Sequence, residues 1–525
     1  MGAPYAIAIA LSAIGVRALL ASRRVPLRRE VAAPLVVATV LAFLLVDVVG
    51  LARGWFSTPA AATLGELPGR GPLGRGFPVE EPLLLAFLAF LVYALAELSN
   101  VGPRERRRIE SSARAGLVRD ALLGLAAGLV LWQLASDLGA GEYTAASGGL
   151  LAGSLVAARE LLSRRSTHVT LGLFLALTVA FDSLLCALGL FSYPPAPRSG
   201  LVVGLAPVED LLYGAAFALV ALRLRAHLLG DGGRGWRILL ASRPISWINT
   251  GLPFLAALVA AGAGEALGAW LLAAVLWWGG GYNLFLYGIN DYYDRATDRH
   301  NPRKGGAEGA LLTDGDARAL VPALLLFGAL PAMLMLILLP GGPAQPANWM
   351  PLAALFAAAL YSAPWLLRAR SIPLLDALVS STHFLAPVLA GLLFAPFDAD
   401  WLPVLVAYAL WNAASQVVGA LQDEEADRRS GLRTTATALG ARGAARLACL
   451  GYLAAALVLL FAPWPLMRLG ALLPLASAGS VALALRGRWG WQRARDAWRR
   501  FLWLNLPLGA GATLLLLASW QQALR

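Results

Sequence analysis

Hydrophobic positions along the chain gather into long blocks separated by short polar segments. Apolar runs of about 17 to 23 residues, the length at which a helix crosses the hydrocarbon layer, recur from end to end. They lie near 3–20, 31–51, 82–98, 118–136, 144–162, 169–191 and 201–222. Nine more follow near 246–262, 265–289, 318–339, 349–365, 373–396, 401–421, 443–462, 467–485 and 501–519. The pattern predicts an all-α, polytopic membrane protein of about sixteen transmembrane helices, with seven in a domain over 1–228 and nine in a domain over 245–525. Between them, residues 229–244 form a basic cytoplasmic linker, within the stretch "RLRAHLLGDGGRGWRILLASRP".

Composition agrees: of 525 residues 58% are hydrophobic and 14% charged, with a mean hydropathy of +0.66. The formal charge of +12 does not point to nucleic acid, because the Arg residues sit in short clusters between apolar runs. Such clusters orient membrane helices. "SRRVPLRRE", "GPRERRRIESSARAG", "ARELLSRRSTH" and the linker are basic, and the loops between them are not. Every second loop is therefore expected in the cytoplasm. The first run has no basic segment before it, the reverse of a secretory signal's charge order, and reads as a retained helix with its N-terminus outside. Cys186, Cys449 and the four His residues show neither disulfide nor metal-ligand spacing.

On this topology the ninth and thirteenth runs both end at the cytoplasmic surface, and both end in acids. In "NDYYDRATD", Asp291, Asp294 and Asp298 stand at i, i+3 and i+7, one helical face. In "QDEEAD", Asp423 and Asp427 form an i, i+4 pair. Stacked carboxylates repel by roughly a few tenths of a kcal/mol per pair, so solvation explains one such cluster more easily than two on the same membrane face. Mg²⁺ is typically held by one or two carboxylates plus substrate phosphates. Two facing carboxylate sets suit a diphosphate leaving group held through metal bridges, hence ionisation of an allylic diphosphate among apolar walls.

"NDYYDRATD" resembles the NDxxDxxxD motif, and "DEEADRRSGLRTTATALG" the DxxxDxxxGxxT motif, of the UbiA-type intramembrane prenyltransferases. That family's nine-helix bundle matches the nine runs over about 237–525. The resemblance implies Asp291, Asp294, Asp298, Asp423 and Asp427 as Mg²⁺ ligands, and Asn290 as a diphosphate contact. Lys304, the one lysine of the chain, stands beside Arg303 in "HNPRKGG". Both read as diphosphate contacts, since an ammonium point charge suits a phosphate oxygen. "DRHNPRKG" and "LYSAPWLLRARSIPLLDALVSSTHFLAPVLAG" resemble most the lycopene elongase branch, implying dimethylallyl diphosphate as donor and lycopene or a related acyclic carotenoid as acceptor.

The front half contains an internal echo. "FLLVDVVGLARGWF" followed by "GRGFPVEEPLLLAFLAF" is repeated as "VAFDSLLCALGLFSY" followed by "GLAPVEDLLYGAAFALV". Each copy carries an Asp late in one run (Asp47, Asp182) and a helix opening with Pro-Val-Glu-acid (Glu80 and Glu81; Glu209 and Asp210). Proline suits a helix start and acids favour the N-terminal dipole, so each stretch alone reads as a capped helix. Repetition points further, because carboxylates near the apolar layer are costly and retained for a task. The task that fits is proton transfer.

The tandem over about 1–228 is similar to the heterodimer-type lycopene cyclases, whose paired three-helix subunits are often fused through an extra helix, here the fourth run. This implies flavin-independent, acid-initiated cyclisation, with Glu80 and Glu209 expected as donors and Glu81, Asp210, Asp47 and Asp182 as bases or partners. Jointly the halves suggest a bifunctional enzyme of C45 or C50 cyclic carotenoids in the cytoplasmic membrane of a bacterium or archaeon, with prenyl transfer on the cytoplasmic face. An aromatic or quinone-precursor acceptor is an alternative. So is a transporter, although the repeat is parallel and confined to the front half.

Overall fold

The computed structural model describes residues 4–23, 25, 28–57, 66–67, 77–78, 80–99, 117–194, 198–230, 233–263, 270–298, 304, 309–429, 431–485 and 491–523. Among the described residues the chain is all-α apart from two very short antiparallel strand pairs, and it divides into two compact units, Met1–Trp236 and Arg237–Arg525.

Among the described residues of the first unit seven long helices follow one another: α1 (Pro4–Ser22), α2 (Arg29–Arg53), α3 (Glu81–Leu98), α4 (Leu117–Asp137), α5 (Glu142–Ala157), α6 (Arg165–Ala187) and α7 (Val208–Gly230). The sequence echo is also structural. A two-residue hairpin precedes α3, pairing Leu67 with Phe77 and Glu66 with Pro78. Its counterpart pairs Val203 with Ala206 and Val202 with Pro207, immediately before α7. The second hairpin turns through Gly204, whose φ of +66° is costly for any residue with a Cβ. The run expected to be helical from 201 therefore becomes helix only at Val208. Residues 201–207, apolar as they are, serve as hairpin.

Small residues bring α4 and α5 together. A Cβ on Gly124 would fall 2.5 Å from the Gly153 carbonyl oxygen, and one on Gly153 2.6 Å from that of Gly124. This close backbone approach is how membrane helices pack without a hydrophobic driving force. Charge completes the unit at Asp120, buried and paired with Arg159 at 2.9 Å and Arg223 at 3.3 Å.

The second unit contains α8 (Ile248–Ala260), α9 (Trp270–Leu276), α10 (Tyr282–Asp298), α11 (Asp314–Ala323), α12 (Leu330–Leu338), α13 (Met350–Ser362), α14 (Leu375–Leu392), α15 (Leu402–Leu421), α16 (Glu424–Arg429), α17 (Thr435–Leu459), α18 (Leu472–Leu485) and α19 (Trp491–Ala523). Its core is rich in alanine: Ala414, Ala444, Ala448 and Ala455 pack with Val418 and Tyr452 between α15 and α17. Two π-helical turns, Trp277–Gly281 and Leu324–Ala329, join α9 to α10 and α11 to α12. The turns press together: a Cβ on Gly281 would lie 2.3 Å from the Phe327 carbonyl, and Trp277 Nε1 donates to the Gly328 carbonyl at 2.9 Å. Wide turns of this kind recur at functional sites, and α10 carries the first aspartate motif.

The chain is an integral membrane protein. All sixteen apolar runs carry helix, but ten helices among the described residues are long and apolar enough to cross a membrane. The expected number of about sixteen spans is thus not confirmed among the described residues. The helix in the run at 144–162 stops at Ala157, and α8 and α13 hold 13 residues each.

Candidate functional sites

Each unit encloses a cavity, and carboxylates line both. In the first unit a cavity of about 240 Å³ is faced by Asp47, Glu81, Asp182 and Asp210 together with Phe181 and Phe217. Both copies of the repeat therefore deliver an Asp and the second acid of their Pro-Val-Glu-acid stretch to one place. Tyrosine hydroxyls surround these acids. Tyr143 and Tyr193 both donate to Asp210, Tyr213 donates to Asp47 at 2.6 Å, and Tyr5 reaches Glu81 at 3.5 Å. Asp182 receives no hydrogen bond among the described residues. Burial, and Asp210 beside it, hold the Tyr193 phenol well above its usual range, so it stays a proton-bearing donor.

Glu80 and Glu209, expected as the proton donors, are buried but do not line this cavity. Glu80 takes the N-cap position of α3. Glu209 Oε1 accepts from Thr144 Oγ1 and from the Ser199 backbone N–H, both at 2.6 Å, and so braces the 198–200 segment. Successive helical residues are about 100° apart, so only one of two adjacent acids can face the apolar space.

In the second unit α10 does continue through its motif, and Asp291, Asp294 and Asp298 are all buried. A cavity of about 170 Å³ is lined by Asn290, Asp294, Asp298, Lys304, Asp423 and Asp427. The second motif's Gly and Thr have local tasks. Gly431 turns the chain with φ +71°, the Leu432 N–H returns to the Asp427 carbonyl at 2.9 Å, and Thr434 caps α17 by accepting from the Thr437 N–H. Asp427 is thereby fixed against the start of α17.

Cations fold onto these acids. Lys304 Nζ lies 2.5 Å from Asp291 and 2.9 Å from Asp298. Arg370 pairs with Asp294 and stands 3.6 Å from Asp427, bridging the two motifs. Arg243 and Arg368 approach Asp291 and Asp294 at 3.5 and 3.8 Å. Burial raises the Asp298 carboxyl above its ordinary range, against the opposite pull of Lys304. Asp291 does not line the cavity; it sits behind Lys304. Arg303, expected as a phosphate contact, lies outside the described residues. Sequence reading missed Arg243, Arg368 and Arg370, which are 48 to 76 positions from the acids they meet. The signal for Arg368 and Arg370 was present in "LRARS", an arginine pair after an apolar run, but it looks like any other topology-setting cluster.

Among the described residues no three carboxylate, imidazole or thiol groups converge as a ready-made metal cage. A Mg²⁺ ion does not need one, since waters and phosphate oxygens complete its shell. The all-oxygen donor set suits it, and Asp291 Oδ2 is buried with no hydrogen-bond partner among the described residues.

Comparison with known proteins follows the division of the chain. Residues 250–506 match the model of the UbiA prenyltransferase family. The chain is 33% identical over 393 residues to the C(50) beta-cyclic carotenoids biosynthesis protein LbtBC of Dietzia sp. (strain CQ4), covering 66% of this chain and 89% of that protein. This share exceeds the second unit alone. It is 41% identical over 293 residues to a lycopene elongase/hydratase of Corynebacterium glutamicum, covering 54% of this chain and 97% of the relative. A solved UbiA homolog from Archaeoglobus fulgidus, bound to DMAPP and Mg²⁺, aligns at 20% identity and a TM-score of 0.43 over 54% of this chain and 98% of its own. With these relatives and its two aspartate motifs, the chain belongs to the UbiA prenyltransferase family.

Proposed function

We propose that the chain is a bifunctional carotenoid enzyme: residues 245–525 transfer a C5 prenyl group from dimethylallyl diphosphate to lycopene end groups, and residues 1–228 cyclise such end groups by proton transfer. The observation that carries the reading is the convergence of four repeat-derived acids on one apolar cavity in a chain whose other unit is a UbiA prenyltransferase. The extension of the Dietzia alignment beyond the prenyltransferase half supports it, since that relative is named for cyclic C50 products.

In the second unit, Asp291, Asp294, Asp298, Asp423 and Asp427 would hold Mg²⁺, which supplies charge neutralisation to the departing diphosphate. Asn290, Lys304, Arg243 and Arg370 would contact the diphosphate directly. Arginine's planar fork and lysine's point charge both suit phosphate oxygens. The cations that now rest on the acids would turn to the substrate when metal and diphosphate enter together. The apolar walls below exclude water from the allylic cation.

In the first unit, Asp47, Glu81, Asp182 and Asp210 are the proton-handling set. One acid protonates the terminal double bond of the carotenoid, ring closure follows, and a neighbouring carboxylate collects the proton that leaves. The tyrosine hydroxyls hold Asp47 and Asp210 in position, and Phe181 and Phe217 shape an apolar wall for the polyene. Glu80 and Glu209 support the entry of α3 and α7 instead. The alternation of basic loops supports prenyl transfer on the cytoplasmic face, and the membrane would be that of a bacterium or archaeon.

The test is a pigment profile, by chromatography with mass detection, from a lycopene-accumulating host expressing the full chain. New carotenoids heavier by one or two C5 units with ring-shifted absorption are the expected result. Cyclic forty-carbon products alone would redirect the second unit to another acceptor, such as an aromatic one.

A further inference from the structure

The prenyltransferase cavity contains a basic group that the diphosphate chemistry does not use. α14 lines the cavity with Asp376, Ser380 and His383, positions i, i+4 and i+7 on one helical face. His383 lies about 10 Å farther along the helix axis than Asp376, away from the aspartate motifs. It is buried, and its Nδ1 has no hydrogen-bond partner among the described residues. Its ring meets that of Tyr361 edge-on, with centroids 5.7 Å apart. An orphaned ring nitrogen is costly to bury.

The other polar groups on this wall are committed. Asp376 is saturated by the N–H groups of Ala377 and Thr435 at 2.8 and 2.7 Å and by the Thr435 hydroxyl. Ser380 donates to Gln416 at 2.8 Å. Tyr361 is a poor base. Asp291 and Asp298 are engaged by Lys304, and Asp294 and Asp427 by Arg370.

We propose that His383 is the base that collects the proton released after carbon–carbon bond formation; this assignment rests on the prenyltransferase reading above. The C–O bond of dimethylallyl diphosphate breaks and its electron pair leaves with the diphosphate. The terminal C=C of the acyclic carotenoid supplies the pair for the new C–C bond and becomes a tertiary cation. An adjacent C–H bond then breaks, its electrons close a new C=C, and the proton passes to His383 Nδ1 and from there to water. An imidazole is suited to this step and is placed where the hydrocarbon, rather than the diphosphate, would lie.

The experiment uses the full chain in lipid vesicles with dimethylallyl diphosphate, Mg²⁺ and lycopene, comparing wild type with His383→Gln and His383→Ala. The expected result is diphosphate release close to wild type, with the share of product formed by proton loss reduced about tenfold or more. A product one water heavier takes its place. Added imidazole restores the wild-type product in His383→Ala. Binding of magnesium diphosphate, measured by calorimetry, verifies the folded site in each variant, and His383→Asn serves if His383→Gln does not retain it. An unchanged product ratio in folded variants would overturn the proposal. A wild-type product that already carries the water would overturn it too. Wild-type protein that releases diphosphate without adding a C5 unit to lycopene would overturn the parent reading and this one with it.

Discussion

In the cavity of the first unit, Asp210 receives the hydroxyls of Tyr143 and Tyr193, and Asp47 that of Tyr213. In the second unit, Asp291 receives Lys304 and Asp294 receives Arg370. The same residue type thus stands under two kinds of partner, and the partner decides what a buried acid is fit for. A neutral hydroxyl orients a carboxyl without removing its net charge, which leaves proton gain and loss available. A fixed cation balances the charge and leaves a carboxylate suited to metal and phosphate. The tyrosine-held set fits acid–base chemistry and the cation-held set fits diphosphate binding.

Substitutions can break or sharpen this contrast. The largest separation is expected from Asp210→Asn, which should lower ring formation by about 10²- to 10⁴-fold while C5 addition continues. Asp294→Asn should do the converse, lowering prenyl transfer by about 10²- to 10³-fold with cyclisation of a supplied acyclic substrate intact. Product masses and absorption spectra from the two variants, read side by side, check both; loss of both activities in either variant would dissolve the contrast. Arg370→Gln should raise the KM for dimethylallyl diphosphate by about tenfold to a hundredfold, as expected for one hydrogen bond to a charged group. Tyr193→Phe should cost ring formation about tenfold or less. Smallest of all, Glu209→Gln should leave most ring formation in place and lower stability by about 1 kcal/mol, seen as a reduced Tm.

The last pair of neighbours shows where reading the sequence stopped. The Pro-Val-Glu-acid repeats were visible because proline and paired acids stand out in apolar surroundings. Which acid faces the cavity was not, since that depends on where α3 and α7 begin. Val208 opens α7 only because residues 202–207 form a hairpin, and their apolar character resembles helix. The aspartate motifs were legible for the opposite reason. Their spacing alone puts Asp291, Asp294 and Asp298 on one face once the helix continues, and it does. The arginines that meet them come from loops distant in sequence, among many arginines that set topology. His383 was equally hidden, because a single imidazole in an apolar helix acquires meaning only from the cavity it faces. Helix existence followed from apolar runs, but crossing length did not, as α8 and α13 hold only 13 residues each and α5 stops at Ala157.

The most direct test of the two-chemistry account is metal removal from one preparation. The full chain in lipid vesicles would be given dimethylallyl diphosphate, lycopene and a prenylated acyclic carotenoid, with Mg²⁺ or with excess chelator, and its products resolved by mass and absorption. The account requires chelation to abolish C5 addition while ring formation on the acyclic substrates proceeds unchanged. Ring formation lost together with C5 addition, and restored by Mg²⁺, would contradict it.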